Sequence, residues 1–220
     1  MLLLADNPAT QTWFVGEFVP EVLDLVLKTW DKFVRYSDVR LEQRITNLFS
    51  DALEAAYLEE GKSWFVFPDV KRNHPKTGKE LARHDIRFYH RDIQGQKLYF
   101  IFECKRLNVQ RAERIVPNTS GYTAGMFRFV TRQYSEEHPC GGMIGYVMDG
   151  NVRMASGLTK SRIQKQHALL QMKAGDNCCT SSSMPNHKYN CETRHLRKNG
   201  PFVLYHLFLR VKPIKPKRIR

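Results

Sequence analysis

The run Leu98-Tyr99-Phe100-Ile101-Phe102, followed at once by Glu103-Cys104-Lys105, most limits the folds open to this chain. An apolar stretch of that length, rich in aromatic residues and flanked by turn formers, fits a strand buried on both faces, in the interior of a sheet. Such a strand needs neighbours on both sides and helices above and below, so the expected class is mixed α/β. Glu103 and Lys105 stand two apart and share one face of the strand, while Cys104 points to the other. Removing a carboxylate and an ammonium from water at the end of an apolar strand is costly unless each meets a partner or a metal. Their placement therefore carries chemical information.

The flanking sequence supplies the other elements. Glu17 to Tyr36 carries Val22, Leu25, Val26, Trp30 and Phe33 near a 3.6-residue period, and Asp38 to Glu59 carries Leu41, Ile45, Leu48, Phe49, Leu53 and Ala56 likewise, with Ser37 or Asp38 as cap. After Gly61 the segment SWFVF reads as a strand and KRNHPKTGKE as a polar loop. HDIRFYH, a turn at Gln94-Gly95 and KLYFIFECKR read as a hairpin. Downstream, GYTAGMFRFVTRQYSEE predicts a helix, GGMIGYVMDG a buried strand and NVRMASGLTKSRIQKQHALLQMK a basic helix. Ala174 to Gly200 is polar and reads as a loop, PFVLYHLFLRV as a final strand, and KPIKPKRIR as a basic tail.

Lys and Arg number 35 against 22 Asp and Glu, a net charge of +13, which points to a polyanionic partner, nucleic acid first. The opening MLLLADNPAT is too short an apolar stretch for a signal peptide or a membrane span, so no membrane association is expected. Five cysteines at irregular spacing do not suggest a disulfide framework and fit a reducing, cytoplasmic setting.

HDIRFYH followed by YFIFECKRL resembles the D...ExK signature of the PD-(D/E)xK, restriction-endonuclease-like nuclease superfamily. The resemblance spans roughly 38–150 and implies an αβββαβ core, a central mixed sheet flanked by helices. At 220 residues and 42% hydrophobic content the chain is long enough to bury one sizeable core and short for two, so one domain is expected over 1–220: a helical extension (1–37), the catalytic core that the resemblance implies (38–150), a helix, polar loop and strand (151–211) and a basic tail (212–220). The implied activity is metal-dependent hydrolysis of phosphodiester bonds in DNA, as an endonuclease. Asp85 and Glu103 would hold Mg²⁺, or Mn²⁺, since hard divalent ions take carboxylate oxygen and complete their shell with water and phosphate. Lys105 would orient or help deprotonate the attacking water and offset charge on the phosphoryl oxygens. A helix acid completes such sites, and Glu42 matches that position with Glu54 as alternative. His84, not Pro, precedes Asp85, whereas a literal Pro68-Asp69 pair occurs earlier. Asp85 is preferred because it enters the strand that pairs with the Glu103 strand.

Arg128 and Arg132, four apart on a predicted helix, are candidates for phosphate contact, with Lys160, Arg162 and Lys165. Gly125 and Tyr122 read as packing residues. Cys178, Cys179, His187, Cys191 and His195 lie in the polar loop, and Cys179, His187, Cys191 and His195 make a conceivable four-ligand zinc set, but the spacing lacks a paired CxxC knuckle, so zinc is not expected. His206 reads as a hydrogen-bonded core histidine. DNA is the expected partner, with a homodimer or membership of a larger nuclease or phage-defence complex as further expectations. Two other functions stay open: a non-catalytic nucleic-acid-binding subunit of the same fold, and an RNase or structure-specific nuclease.

Overall fold

A computed structural model describes residues 12–33, 41–62, 64–73, 77–78, 80–91, 97–111, 113–131, 133–135 and 138–211. The turn at Gln94-Gly95, Arg132 and the basic tail 212–220 lie outside the described residues. The chain opens with a π-helical turn, Phe14–Phe18, that buries both of its terminal phenylalanines and runs into α1, Val19–Lys32. Pro20 is tolerated there because the first helical turn has no internal use for its missing N–H. Val19, Val22, Val26 and Trp30 form the buried stripe of α1, and Ile45, Phe49 and Leu53 that of α2, Glu42–Glu59.

Strands β1 (Trp64–Asn73), β2 (Glu80–Arg91) and β3 (Lys97–Leu107) follow as an antiparallel meander. A short hairpin, β4 (Val109–Arg111) and β5 (Arg114–Val116), then leads to α3, Thr119–Val130. The chain returns through β6 (Cys140–Val147), parallel to β3, as the crossover helix allows. Helix α4 (Val152–Lys165), β7 (Cys191–Arg197) and β8 (Gly200–Arg210) complete a six-stranded mixed sheet in the order β1-β2-β3-β6-β8-β7, flanked by helices. Helices α1 and α2 pack with Ile86, Phe88, Phe100 and Phe102 on one face; α3 and α4 pack with Ile101, Met143 and Phe208 on the other. As expected of an interior strand, β3 is buried along Phe100–Cys104. Gly142 on β6 lies under the Phe102 ring, 2.3 Å from where a Cβ would stand, so any side chain there would force the ring away. Among the described residues no helix is long and apolar enough to cross a membrane.

Several elements depart from the sequence reading. The first helix ends at Lys32 instead of reaching Tyr36, and the helices expected over 121–137 and 151–173 end at Val130 and Lys165. β1 runs through Asn73 and β2 starts at Glu80, so the polar segment KRNHPKTGKE contributes to both strands. The β4–β5 hairpin was not foreseen, nor was β7 inside the supposed loop 174–200.

β7 escaped notice because its pattern is inverted. Its inward residues Thr193, His195 and Arg197 are polar but hydrogen-bonded, whereas Leu196 faces out, 52% exposed. Thr193 Oγ1 lies 2.8 Å from Nε2 of both His195 and His206, and His195 Nδ1 donates to the Leu170 carbonyl at 2.6 Å. Arg197 donates to the carbonyls of Phe129, Ser135 and His138 at 3.4, 2.9 and 2.7 Å. Burial is affordable for these groups because each has a partner, and hydrophobicity alone does not reveal that.

Candidate functional site

The acidic centre forms where β2 parts from β3. The ladder between them runs from Arg91↔Lys97 to Ile86↔Phe102 and stops. At the next position the Asp85 carboxylate takes over as acceptor, Oδ2 receiving the Cys104 N–H at 2.7 Å. That bond satisfies a buried backbone donor and fixes the carboxylate beside Glu103 and Lys105. On its other edge this end of β3 is held by β6, with Glu103 opposite Met143 and Lys105 opposite Gly145.

Glu103 is fully buried against α3, where a Cβ on Gly125 would come within 3.0 Å of its Cγ. Its Oε1 receives two cations, Lys105 Nζ and Arg128 Nη1, each at 2.7 Å. Its Oε2 is buried and accepts no hydrogen bond. Lys105 Nζ also lies 3.2 Å from Glu42 Oε1 and 3.9 Å from Asp85 Oδ2, and it donates to the Cys104 carbonyl at 2.8 Å. Glu42 Oε2 accepts the Arg106 N–H at 2.8 Å, tying the first turn of α2 to the end of β3. Arg128 donates further to Tyr134 Oη at 2.9 Å, and Tyr134 donates to the Arg83 carbonyl.

These contacts set the protonation of the centre. Burial, and then the neighbouring charge of Glu103, push the Asp85 carboxyl well above the usual carboxylate range, against the pull of Lys105 and the Cys104 N–H. Burial works to lower the Lys105 ammonium, but Glu103, Asp85 and Glu42 outweigh it and raise it, so Lys105 is held as a cation.

Asp85 and Glu103 fit a hard divalent cation. Glu103 Oε2 is a buried carboxylate oxygen with no hydrogen-bond partner among the described residues, and of the two main causes that raise Asp85, burial and then the Glu103 charge, a divalent cation between the two would relieve the second. Among the described residues no set of three or more His, Cys, Asp and Glu is gathered into a metal cage.

The structure brings Glu42, Asp85, Glu103 and Lys105 together. Asp69, with a left-handed φ of 49°, pairs with Arg83 Nε at 3.4 Å, and Glu54 is exposed on α2. Arg128, read from the sequence as a candidate phosphate contact, donates to Glu103 and Tyr134 and stays 43% exposed. Lys160, Arg162 and Lys165 lie along α4, away from this cluster of ion pairs; the Lys160 charge acts on His206, Cys178 and Cys191. Of the conceivable zinc set, Cys191 hydrogen-bonds with Cys178, and both ring nitrogens of His195 are engaged by Thr193 and Leu170. His206 is a core histidine, its Nδ1 3.1 Å from Tyr122 Oη.

Sequence reasoning missed Tyr134 and the inward role of Arg128. Arg128 lies three residues after Gly125 on α3, hence on one helix face, which was a usable signal. Tyr134 follows the helix in an irregular segment and gave none. Comparisons with protein families, curated proteins and solved structures find no match for this chain.

Proposed function

We propose that this protein is a metal-dependent nuclease of the PD-(D/E)xK type that hydrolyses phosphodiester bonds in nucleic acid, with Asp85, Glu103 and Lys105 as its centre. The observation that carries the reading is the convergence of two carboxylates and one lysine where β2 leaves β3, with Glu42 of α2 closing the group. The order α2-β1-β2-β3-α3-β6, interrupted between β3 and α3 by the short β4–β5 hairpin, with β6 parallel to β3, supports it as an αβββαβ core.

Asp85 and Glu103 would hold Mg²⁺ or Mn²⁺. When bound, such an ion polarises the phosphodiester and lowers the pKa of water. Lys105, whose ammonium the neighbouring Glu103, Asp85 and Glu42 favour, serves as a hydrogen-bond donor and point charge for phosphoryl oxygen. Glu42 fixes the Lys105 ammonium and the backbone at Arg106, which limits how far Lys105 can stray. Arg128 shares Glu103 with Lys105 and would yield part of that contact to an incoming cation. The net charge of +13 supplies attraction for a polyanion independent of sequence.

The test is cleavage of plasmid, linear duplex, single-stranded DNA and RNA with Mg²⁺, Mn²⁺ or EDTA, comparing wild type with Glu103→Ala and Lys105→Ala. Metal-dependent cutting that vanishes in both folded variants is the expected result. Binding without cutting by wild type on every substrate would overturn it in favour of a non-catalytic nucleic-acid-binding subunit.

A further inference from the structure

From Asp85 the strand β2 runs away from the acidic centre, and on the same face it presents Arg87 and then Tyr89, while Ile86 and Phe88 are buried beneath α1 and α2. Register places Phe67 of the edge strand opposite Arg87, Phe65 opposite Tyr89, and Tyr99 of β3 opposite Tyr89 on the other side. Four rings and one guanidinium thus share the face that carries Glu103. Helix α3 covers that face over β3 and β6, but Phe65 and Phe67 on β1 remain 47% and 43% exposed.

The rings of Phe65 and Phe67 lie 6.4 Å apart, and the Arg87 guanidinium sits 5.6 Å from the centre of the Tyr99 ring. Same-face residues of a strand repeat at roughly 6.8 Å, so Arg87 is one step from Asp85 and the Phe65–Tyr89–Tyr99 row two. That step is on the scale of one extended nucleotide. Exposed rings interleaved with a cation form the arrangement on which bases stack while the backbone follows the charge. Bases inside a duplex already have both faces covered by their neighbours; only an unpaired base has a face to offer. A purely apolar protein partner would find a guanidinium in the middle of its contact, and the chain's net charge of +13 favours a polyanion.

We infer that the face formed by Phe65, Phe67, Arg87 and Tyr89, backed by Tyr99, whose ring already packs on His138 at 3.9 Å, is a stacking platform for unpaired bases, and that the substrate carries single-stranded nucleotides beside the bond to be cut. This rests on the nuclease reading of Asp85, Glu103 and Lys105, and it names the substrate class of that centre.

The experiment measures binding in EDTA, so that it is independent of cleavage. The probes are a single-stranded oligonucleotide, an abasic strand of equal length and a perfectly paired duplex, each bound to wild type, Phe65→Ile/Phe67→Ile and Phe65→Tyr/Phe67→Tyr. Isoleucine keeps strand propensity without a flat ring; tyrosine keeps the ring. Wild type should bind the base-bearing strand more tightly than the abasic one. The isoleucine variant should lose at least about tenfold in affinity for it, equivalent to about 1.4 kcal/mol. Its affinity for the abasic strand should not change, and the tyrosine variant should behave as wild type. Equal binding of base-bearing and abasic strands by wild type overturns the platform, as does an isoleucine variant that loses nothing. A concentration-dependent dimer broken by the isoleucine variant, with strand binding unaffected, would assign the rings to a second copy instead. Failure of cleavage with these binding differences intact would remove the nuclease reading and leave the platform standing.

Discussion

Arg128 and Lys105 meet on one oxygen of Glu103, each nitrogen at 2.7 Å from Oε1. A fully buried carboxylate is thereby neutralised by side chains from two different elements, one from β3 and one from α3. Arg128→Ala should destabilise the protein in EDTA, and Mg²⁺ should restore a larger share of stability to the variant than it adds to wild type. Breaking a buried pair costs about 3–5 kcal/mol, but Arg128 is 43% exposed, so a loss nearer ~1 kcal/mol is expected. Thermal unfolding with and without Mg²⁺ checks this; equal gains in the two proteins would refute competition for Glu103.

Gly125 lets Glu103 lie against α3. A Cβ there would come within 3.0 Å of both Glu103 Cγ and Met143 Cε. Gly125→Ala should fold, at a cost of about 1–3 kcal/mol, and should lower turnover roughly 10- to 100-fold by displacing the carboxylate. Urea unfolding and initial rates of cleavage, measured on one preparation, separate the two effects; full turnover in the folded variant would count against this placement.

Glu42 joins the first turn of α2 to Lys105 and to the Arg106 backbone. Glu42→Gln can still accept the Arg106 N–H but loses the charge that faces Lys105. Turnover should fall about tenfold with the fold intact, and further in Glu42→Ala. Circular dichroism together with kcat reads both outcomes; a Gln variant as active as wild type would reduce Glu42 to a helix-surface acid.

His206 carries the clearest acid sensitivity. Burial first, then the charges of His195 and Lys160, lower it from its ordinary 6.5 to about 3. His195 is lowered too, chiefly by burial. The folded state prefers the neutral rings, so between those two values the unfolded chain binds more protons. Their stabilisation is complete above about 6.5 and declines as the pH falls towards 3. At pH 5 the loss from His206 alone is about 2 kcal/mol. Urea midpoints from pH 7 to pH 4.5 should fall in wild type, and the slope should be shallower in His206→Gln; parallel slopes would place the sensitivity elsewhere.

The central strand and its Glu103-x-Lys105 ending were legible because an apolar run interrupted by paired charges is an improbable accident of packing. Asp85 could be preferred over Asp69 because pairing logic favoured the hairpin strand, and the structure places Asp85 at the centre and Asp69 on Arg83. What stayed hidden was three-dimensional satisfaction of polar groups. Arg128 looks like a surface cation until Glu103 is seen behind it. Thr193, His195 and Arg197 look like a loop because their partners, His206 on β8 and the carbonyls of Leu170, Phe129, Ser135 and His138, are remote in sequence. Phe65 and Phe67 read as ordinary strand residues, since alternation tells that two faces exist but not which one a helix covers.

The grip of Arg197 on the carbonyls of Phe129, Ser135 and His138 reaches back towards the acidic centre. Those carbonyls bracket Tyr134, whose hydroxyl receives Arg128. A strand at the far edge of the sheet therefore sets the stage for an acid three strands away. The stretch from α2 to β6 is consequently not a detachable module: trimming the chain after Val147 would strip β6 of its β8 neighbour and release the segment that steadies Arg128. Within this fold, the acidic centre depends on residues of β7 and β8 to hold its geometry.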